Sequence, residues 1–241
     1  MDSDETKIKK GISPFEFNRK LLEETADYAC AYKPNSAFYE ALGAYGIEQL
    51  KLTCDYMREA HPDMPIILDA KRADIGNTNT GYTKFAFDYL GTDAITLHPY
   101  LGGEALEPFL KYKDKGFFIL ARTSNPGAGD LQDLDVGGKP LYQVVVETAV
   151  NNWNKNGNVM FVAGATYPHE LEIIRNTIGE DIPILVPGIG AQGGDIAAVC
   201  KAGLNKSGTG LIINSSRSII FSENPATAAK KLRDEINRYR K

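Results

Sequence analysis

Asp69, Lys71 and Asp74 stand together at the end of the apolar run Pro65-Ile66-Ile67-Leu68. Asp69 and Lys71 are two residues apart, so an extended chain points both to the same side. Asp74 lies past the run, where it can curl back or reach into a neighbouring subunit. A lysine between two carboxylates keeps its proton, because opposite charges favour its charged form. That predicts a proton donor rather than a free amine nucleophile. Lys33, which closes an earlier apolar segment, extends the array. A structural salt bridge is the ordinary account of a lone Asp–Lys pair. Four charges at adjacent strand ends exceed it, since buried charges are costly unless they serve a purpose.

A second group of residues is suited to an anion. Pro187-Gly188-Ile189-Gly190-Ala191-Gln192-Gly193-Gly194-Asp195 reads as a Gly-rich turn into a helix. Glycine lets backbone N–H groups approach a phosphate, and a helix start favours negative charge. Asn214-Ser215-Ser216-Arg217 follows the next apolar run, and Arg217 can supply a bidentate contact. A lone Gly-rich turn is usually just a turn; the pair with an arginine predicts a phosphate site. Thr123-Ser124-Asn125-Pro126-Gly127 opens a long segment running to residue 139, which reads as a functional lid or a disordered segment. Ser124 is placed to meet a substrate ring or, equally, to cap a turn.

The three histidines give no ligand spacing. His61 and His169 read as surface and helix-start residues, and His98 stands at a strand end. No metal site is expected. Cys30, Cys54 and Cys200 are widely spaced and form no CxxC pair, which predicts buried or inert thiols in a reducing, cytoplasmic setting.

These residues need elements to hold them. Short apolar runs at 28–33, 65–70, 94–97, 117–121, 159–162, 184–186 and 210–214 read as strands, several of them apolar on both faces as in parallel sheets. Helical patterns alternate with them, at 37–60, 77–90, 103–112, 141–154, 169–178, 195–202 and 225–240. Ser13-Pro14-Phe15-Glu16 carries the capping-box spacing and opens a helix ahead of the first run. Seven β-then-α units within 241 residues, with no linker, predict a single domain over 1–241 of the α/β class: a (β/α)8 TIM barrel with its first strand absent from the chain. A doubly wound sheet is the competing architecture. In a barrel of this kind chemistry sits at the C-terminal ends of the strands, and phosphate binds after strands seven and eight, which is where these polar residues fall.

Composition narrows the partners. Apolar residues make up 43% of the chain and charged residues 24%, ordinary globular values. The net charge of −4 argues against nucleic acid as a partner, and no run approaches a membrane span.

Asp69-Ala70-Lys71-Arg72-Ala73-Asp74-Ile75-Gly76-Asn77-Thr78 resembles the DxKxxDIxxT signature of the orotidine 5′-phosphate decarboxylases. Pro187 to Gln192 resembles that family's phosphate loop, Ser216-Arg217 its second phosphate motif, and Ala31-Tyr32-Lys33-Pro34-Asn35 its upstream lysine segment in the long-chain type 2 branch. The resemblance implies cofactor-free decarboxylation of orotidine 5′-monophosphate to UMP in pyrimidine biosynthesis. By that resemblance Lys71 protonates C6, Asp69 lies against the substrate carboxylate, and Lys33 and Asp74 complete the charge array. Asp74 and Thr78 are offered across a homodimer interface, Ser124 contacts the pyrimidine, and Pro187, Gln192, Ser216 and Arg217 surround the phosphate. Asp2 takes the place of the ribose-binding aspartate. The family begins with a strand, of which Met1-Asp2-Ser3-Asp4 resembles only the tail: either the sequence is a piece of a longer chain, or the barrel lacks strand one, which would leave two open sheet edges. The expectation is lower melting temperature and turnover than in a version with that strand added; equal values would refute it. Two other outcomes stand beside the decarboxylase: a metal-assisted phosphosugar aldolase, epimerase or keto-sugar-phosphate decarboxylase, and an inactive barrel that only binds nucleotide phosphate.

Overall fold

A computed structural model describes residues 11–190 and 193–240. Helix α1 (Pro14–Thr25) opens as its capping box predicts: the Ser13 hydroxyl accepts from the Glu16 N–H and the Glu16 carboxylate accepts from the Ser13 N–H. The expected helix over 37–60 divides into α2 (Ser36–Glu40) and α3 (Gly43–Ala60), because Gly43 takes a φ of +63° that only glycine adopts freely.

Six of the seven expected strands form: β1 (Ile67–Arg72), then α4 (Gly76–Thr83), β2 (Ala94–Leu97), α5 (Gly102–Leu110) and β3 (Gly116–Arg122). After the short α6 (Gly129–Gln132) come α7 (Leu141–Thr148), β4 (Val159–Ala163), α8 (Pro168–Ile178), β5 (Ile184–Pro187) and α9 (Ile196–Gly203). The chain ends with β6 (Leu211–Asn214), α10 (Arg217–Ile220) and α11 (Pro225–Asn237). The strands pair in parallel in the order β1-β2-β3-β4-β5-β6. A doubly wound sheet reverses direction at a switch point; this order never does, so the barrel type of winding holds.

The expected strand at 28–33 is a correction. Residues Ala26–Tyr28 form a 3₁₀ turn, and the extended backbone after them meets β1 only through bridges at Tyr32–Ile66 and Asn35–Asp69. Pro34 has no N–H to continue a ladder, although its carbonyl accepts from the Asp69 N–H at 2.9 Å. This segment and β6 are the outer edges of the sheet. Among the described residues no pairing joins them, and a groove of about 490 Å³, lined by Ala31, Tyr32, Leu211 and Ile213 among others, runs between.

The period of two that makes the strands legible also sorts their side chains. Leu68, Ile95, Phe117, Ile119, Phe161, Ile184 and Val186 face the helices in the main core, while Ile67, Ala94, Phe118, Val162 and Leu185 pack together inside the curl. One step further along the strands on that inner side lie Asp69, Thr96, Leu120, Pro187 and Asn214. The site is built on that layer. Cys54 and Cys200 are buried as expected, whereas Cys30 is exposed on the open edge.

Candidate active site

A cavity of about 460 Å³ opens at the C-terminal ends of the strands. It collects Lys33, Asp69, Lys71, Ser124, Pro187, Ser216 and Arg217, seven residues singled out from the sequence. Its size suits a small-molecule ligand.

Asp69 is the centre of the charged wall. Its Oδ2 accepts from Lys33 Nζ at 2.6 Å and its Oδ1 from Lys71 Nζ at 2.6 Å. The Asp69 and Lys33 side chains are each 11% exposed, while that of Lys71 is 51% exposed and faces the cavity. Burial alone would raise the Asp69 pKa, but the Lys33 and Lys71 ammonium groups and their hydrogen bonds outweigh it, holding the carboxyl well below the usual carboxylate range. The stability this adds is present above the pKa of an unfolded Asp, roughly 3.9, and is lost as pH falls through the depressed folded value.

The backbone under these groups is unusual. Lys71 has φ +45° and Ala73 φ +134°, conformations that L-residues seldom adopt. The β1–β2 register steps from Leu68–Ile95 to Arg72–Leu97, so Asp69, Ala70 and Lys71 face only Thr96. This bulge turns Lys71 out of the pleat toward the cavity.

Asp74 and Thr78 are not drawn into this cluster. The Asp74 N–H donates to Asn79 Oδ1, and Asp74 Oδ1 accepts from the Ile75 N–H. Thr78 lies exposed on α4, and neither residue lines the cavity. Asp2 and Gln192 lie outside the described residues.

Opposite the charged wall, Gly188 and Gly190 take φ values of +108° and +85° in the turn after β5. A Cβ on Gly190 would come within 2.9 Å of Ser218 Oγ, so this turn can pack on α10 only with glycine there. Arg217 is exposed at the start of α10 and makes no ion pair with a described residue.

The long segment after β3 is tied down at its root. Arg122 donates from Nε and Nη2 to the two carboxylate oxygens of Asp133 at 2.8 and 3.0 Å, and its guanidinium lies 3.9 Å from the Tyr167 ring centre. The Thr123 N–H donates to Gln132 Oε1 at 2.8 Å. Ser124 crosses directly over Gly164, where a Cβ would stand 2.7 Å from the Ser124 Cα. Beyond this base, Leu131, Leu134 and Val136 are exposed.

Asn35, Thr96, Thr123, Asn125, Gln132 and Asn214 also line the cavity. Sequence reasoning gives Asn35, Thr96 and Gln132 no role of their own. Thr96 does carry a signal: it is the polar residue of Ala94–Leu97 and stands two positions before His98, on the same face.

Comparison with known proteins agrees with this geometry. The pattern of the "Orotidine 5′-phosphate decarboxylase / HUMPS family" matches residues 12–232. The orotidine 5′-phosphate decarboxylase of Janthinobacterium sp. (strain Marseille) is 48% identical over 230 residues, covering 92% of this chain and 84% of the relative. The solved OMP decarboxylase of Leishmania donovani superposes with a TM-score of 0.88 at 43% identity, over 93% of this chain and 87% of that one. The UMP synthase of the same organism superposes with a TM-score of 0.90 at 45% identity, and there the match covers 93% of this chain but only 50% of that longer one. With its curled parallel sheet, its charged wall and a family pattern spanning residues 12–232, the chain belongs to the orotidine 5′-phosphate decarboxylase / HUMPS family.

Proposed function

We infer that this protein is a carboxy-lyase that converts orotidine 5′-monophosphate to uridine 5′-monophosphate. The observation that carries the reading is the Lys33–Asp69–Lys71 chain of ion pairs facing a glycine turn and Arg217 across one cavity. The phosphate is held by the turn after β5 together with Ser216 and Arg217, and Gln192 belongs to the same loop by sequence. Ser124 meets the pyrimidine from the lid. The substrate carboxylate then lies near ionised Asp69, which disfavours the bound ground state. As the C6–carboxylate bond breaks, carbon dioxide leaves and the electron pair stays on C6. The Lys71 ammonium stabilises that carbanion and delivers its proton to C6; solvent then returns a proton to the amine. Phosphate contacts remote from C6 help close the lid and lower the barrier to chemistry. Every electron in the step comes from the substrate, so the reading requires no cofactor.

Two copies of the chain are part of the proposal. Asp74 and Thr78 stand outside their own cavity, on a rim where Ile75, Tyr100 and Leu101 are 60%, 80% and 46% exposed. A homodimer would cover these apolar residues and bring Asp74 and Thr78 to the partner's cavity. The proposed protein is a single domain and cytoplasmic, which agrees with three cysteines that form no disulfide. No helix of the described residues is long and apolar enough to cross a membrane.

The test is the fall in orotidine 5′-monophosphate absorbance with purified protein. Turnover that survives EDTA is expected. Loss of activity with EDTA would favour a metal-assisted phosphosugar reaction, borohydride trapping of a substrate adduct would overturn the ammonium role of Lys71, and UMP binding without turnover would mark an inactive barrel.

The lid makes its own prediction. Asp133→Ala removes the carboxylate that holds Arg122, an ion pair half exposed on the acidic side and worth about 1 kcal/mol. Loss of that energy from the closed state raises KM for orotidine 5′-monophosphate about fivefold. Steady-state kinetics that leave KM unchanged would show that the lid root is immaterial to binding.

A further inference from the structure

We propose that Thr96 is a positioning residue for the proton donor: its hydroxyl fixes both the carboxylate of Asp69 and the left-handed turn that aims Lys71. This rests on the reading of Lys71 given above. Thr96 is 1% exposed and lies in the middle of β2. Its Oγ1 donates to Asp69 Oδ1 at 3.0 Å and accepts from the Ala70 and Lys71 N–H groups at 3.1 and 2.9 Å. One hydroxyl has one proton and two lone pairs, so all of its capacity is used.

The bulge explains why a hydroxyl is required there. In a regular parallel ladder the N–H groups of Ala70 and Lys71 would be shared between backbone carbonyls and the other face. The register step leaves three β1 residues opposite Thr96 alone, and the side chain takes the place of the missing carbonyl partners. Lys71 sits at φ +45°, a conformation that persists only where its surroundings hold it. Of the contacts holding it, the N–H bond to Thr96 acts on the backbone of Lys71 itself. The same hydroxyl also turns Asp69 so that Oδ1 meets Lys71 while Oδ2 meets Lys33. A merely apolar β2 residue of the same size would fill the space and leave both N–H groups without a partner.

The test compares Thr96→Val, which keeps the shape, with Thr96→Ser, which keeps the hydroxyl. Expected for Thr96→Val is a fall in kcat of about 100-fold with UMP affinity within about threefold of the unmodified protein; Thr96→Ser is expected to stay within about threefold in both. Thr96→Val within threefold of the unmodified kcat overturns the proposal. So does a Thr96→Ser loss equal to that of Thr96→Val, since the methyl would then be what matters. If Thr96→Val does not accumulate as folded protein, Thr96→Cys serves in its place: a weak donor at similar volume is expected to lose kcat to an intermediate degree, and full activity overturns the proposal. A crystal structure of the Val or Cys variant reads the same point without turnover. Lys71 at negative φ, or Nζ moved away from Asp69, supports the proposal; an unchanged Lys71 overturns it even if the unmodified protein proves to have no decarboxylase activity.

Discussion

Lys71→Ala is expected to reduce kcat for orotidine 5′-monophosphate decarboxylation by on the order of 10⁵-fold while leaving UMP affinity within about threefold. On the proposed mechanism two contributions are lost together. The proton for C6 disappears, and so does the fixed cation that stabilises the carbanion in a site walled off by Asp69 and the lid. The product carries no carboxylate at C6, so on the proposed binding mode its affinity rests on the turn after β5, Arg217 and Ser124, which the substitution does not touch. The fold should survive, because Asp69 keeps its bonds to Lys33 at 2.6 Å and to Thr96 at 3.0 Å. Lys71→Arg separates the two contributions: a guanidinium preserves the charge but holds its proton too tightly to deliver it. Absorbance assays beside circular dichroism and UMP titration would check the set. Turnover within tenfold of the unmodified protein in Lys71→Ala would remove Lys71 from the chemistry.

Much of this arrangement is legible because strands impose a period of two. Asp69 and Lys71 fall at the end of an apolar run, and the strand expected from that run forms within two residues of the expected bounds. The same rule places Pro187 and Asn214 at the mouth. The signal stops where structure departs from the period. The bulge at 69–71 is invisible in sequence, since nothing in Asp69-Ala70-Lys71 demands a positive φ, and with it goes the role of Thr96. Asn35 is hidden because Pro34 closes the apolar segment, yet the chain beyond it still bridges to Asp69. The long segment after β3 is visible in the sequence, but its anchoring is not. Arg122 and Asp133 are eleven residues apart and meet only because the segment folds back on the end of β3. Asp74 shows the opposite limit: its spacing to Lys71 announces a shared cluster, whereas within one chain its carboxylate turns to the Ile75 N–H.

Arg175→Ala is expected to destabilise the protein by about 3–5 kcal/mol and lower its melting temperature by roughly 10 °C, with kcat of the remaining folded protein unchanged. Arg175 is 6% exposed on α8, at the end of the sheet opposite the cavity. Its guanidinium donates to the carbonyls of Gly203, Gly179, Ile182 and Gly210 at 2.8, 2.9, 2.9 and 2.8 Å. The Gly203 carbonyl ends α9 and the other three lie in the loops that lead into β5 and β6, so one side chain ties the turns feeding both strands. Burial lowers the Arg175 pKa, with Glu180 opposing, but an arginine keeps its proton in a protein, so the charge stays and the carbonyls compensate it. Truncation to alanine leaves a cavity and strips four carbonyls of their donor, with Gly203 buried and Gly179, Ile182 and Gly210 at least partly open to water. Arg175→Lys should recover little, because an ammonium has three protons and lacks the planar fork that reaches four directions. Gly210 belongs to the same device. Its φ is +89°, and a Cβ there would stand 2.8 Å from Arg175 Nη2, so Gly210→Ala should destabilise in the same sense. Because Arg175 lies at the end of the sheet away from the cavity and does not line it, the loss should appear in thermal and urea unfolding rather than in the chemistry step. A melting temperature within 2 °C of the unmodified protein, which at about 2–4 °C per kcal/mol is less than 1 kcal/mol, would show that the loops hold their shape without the arginine.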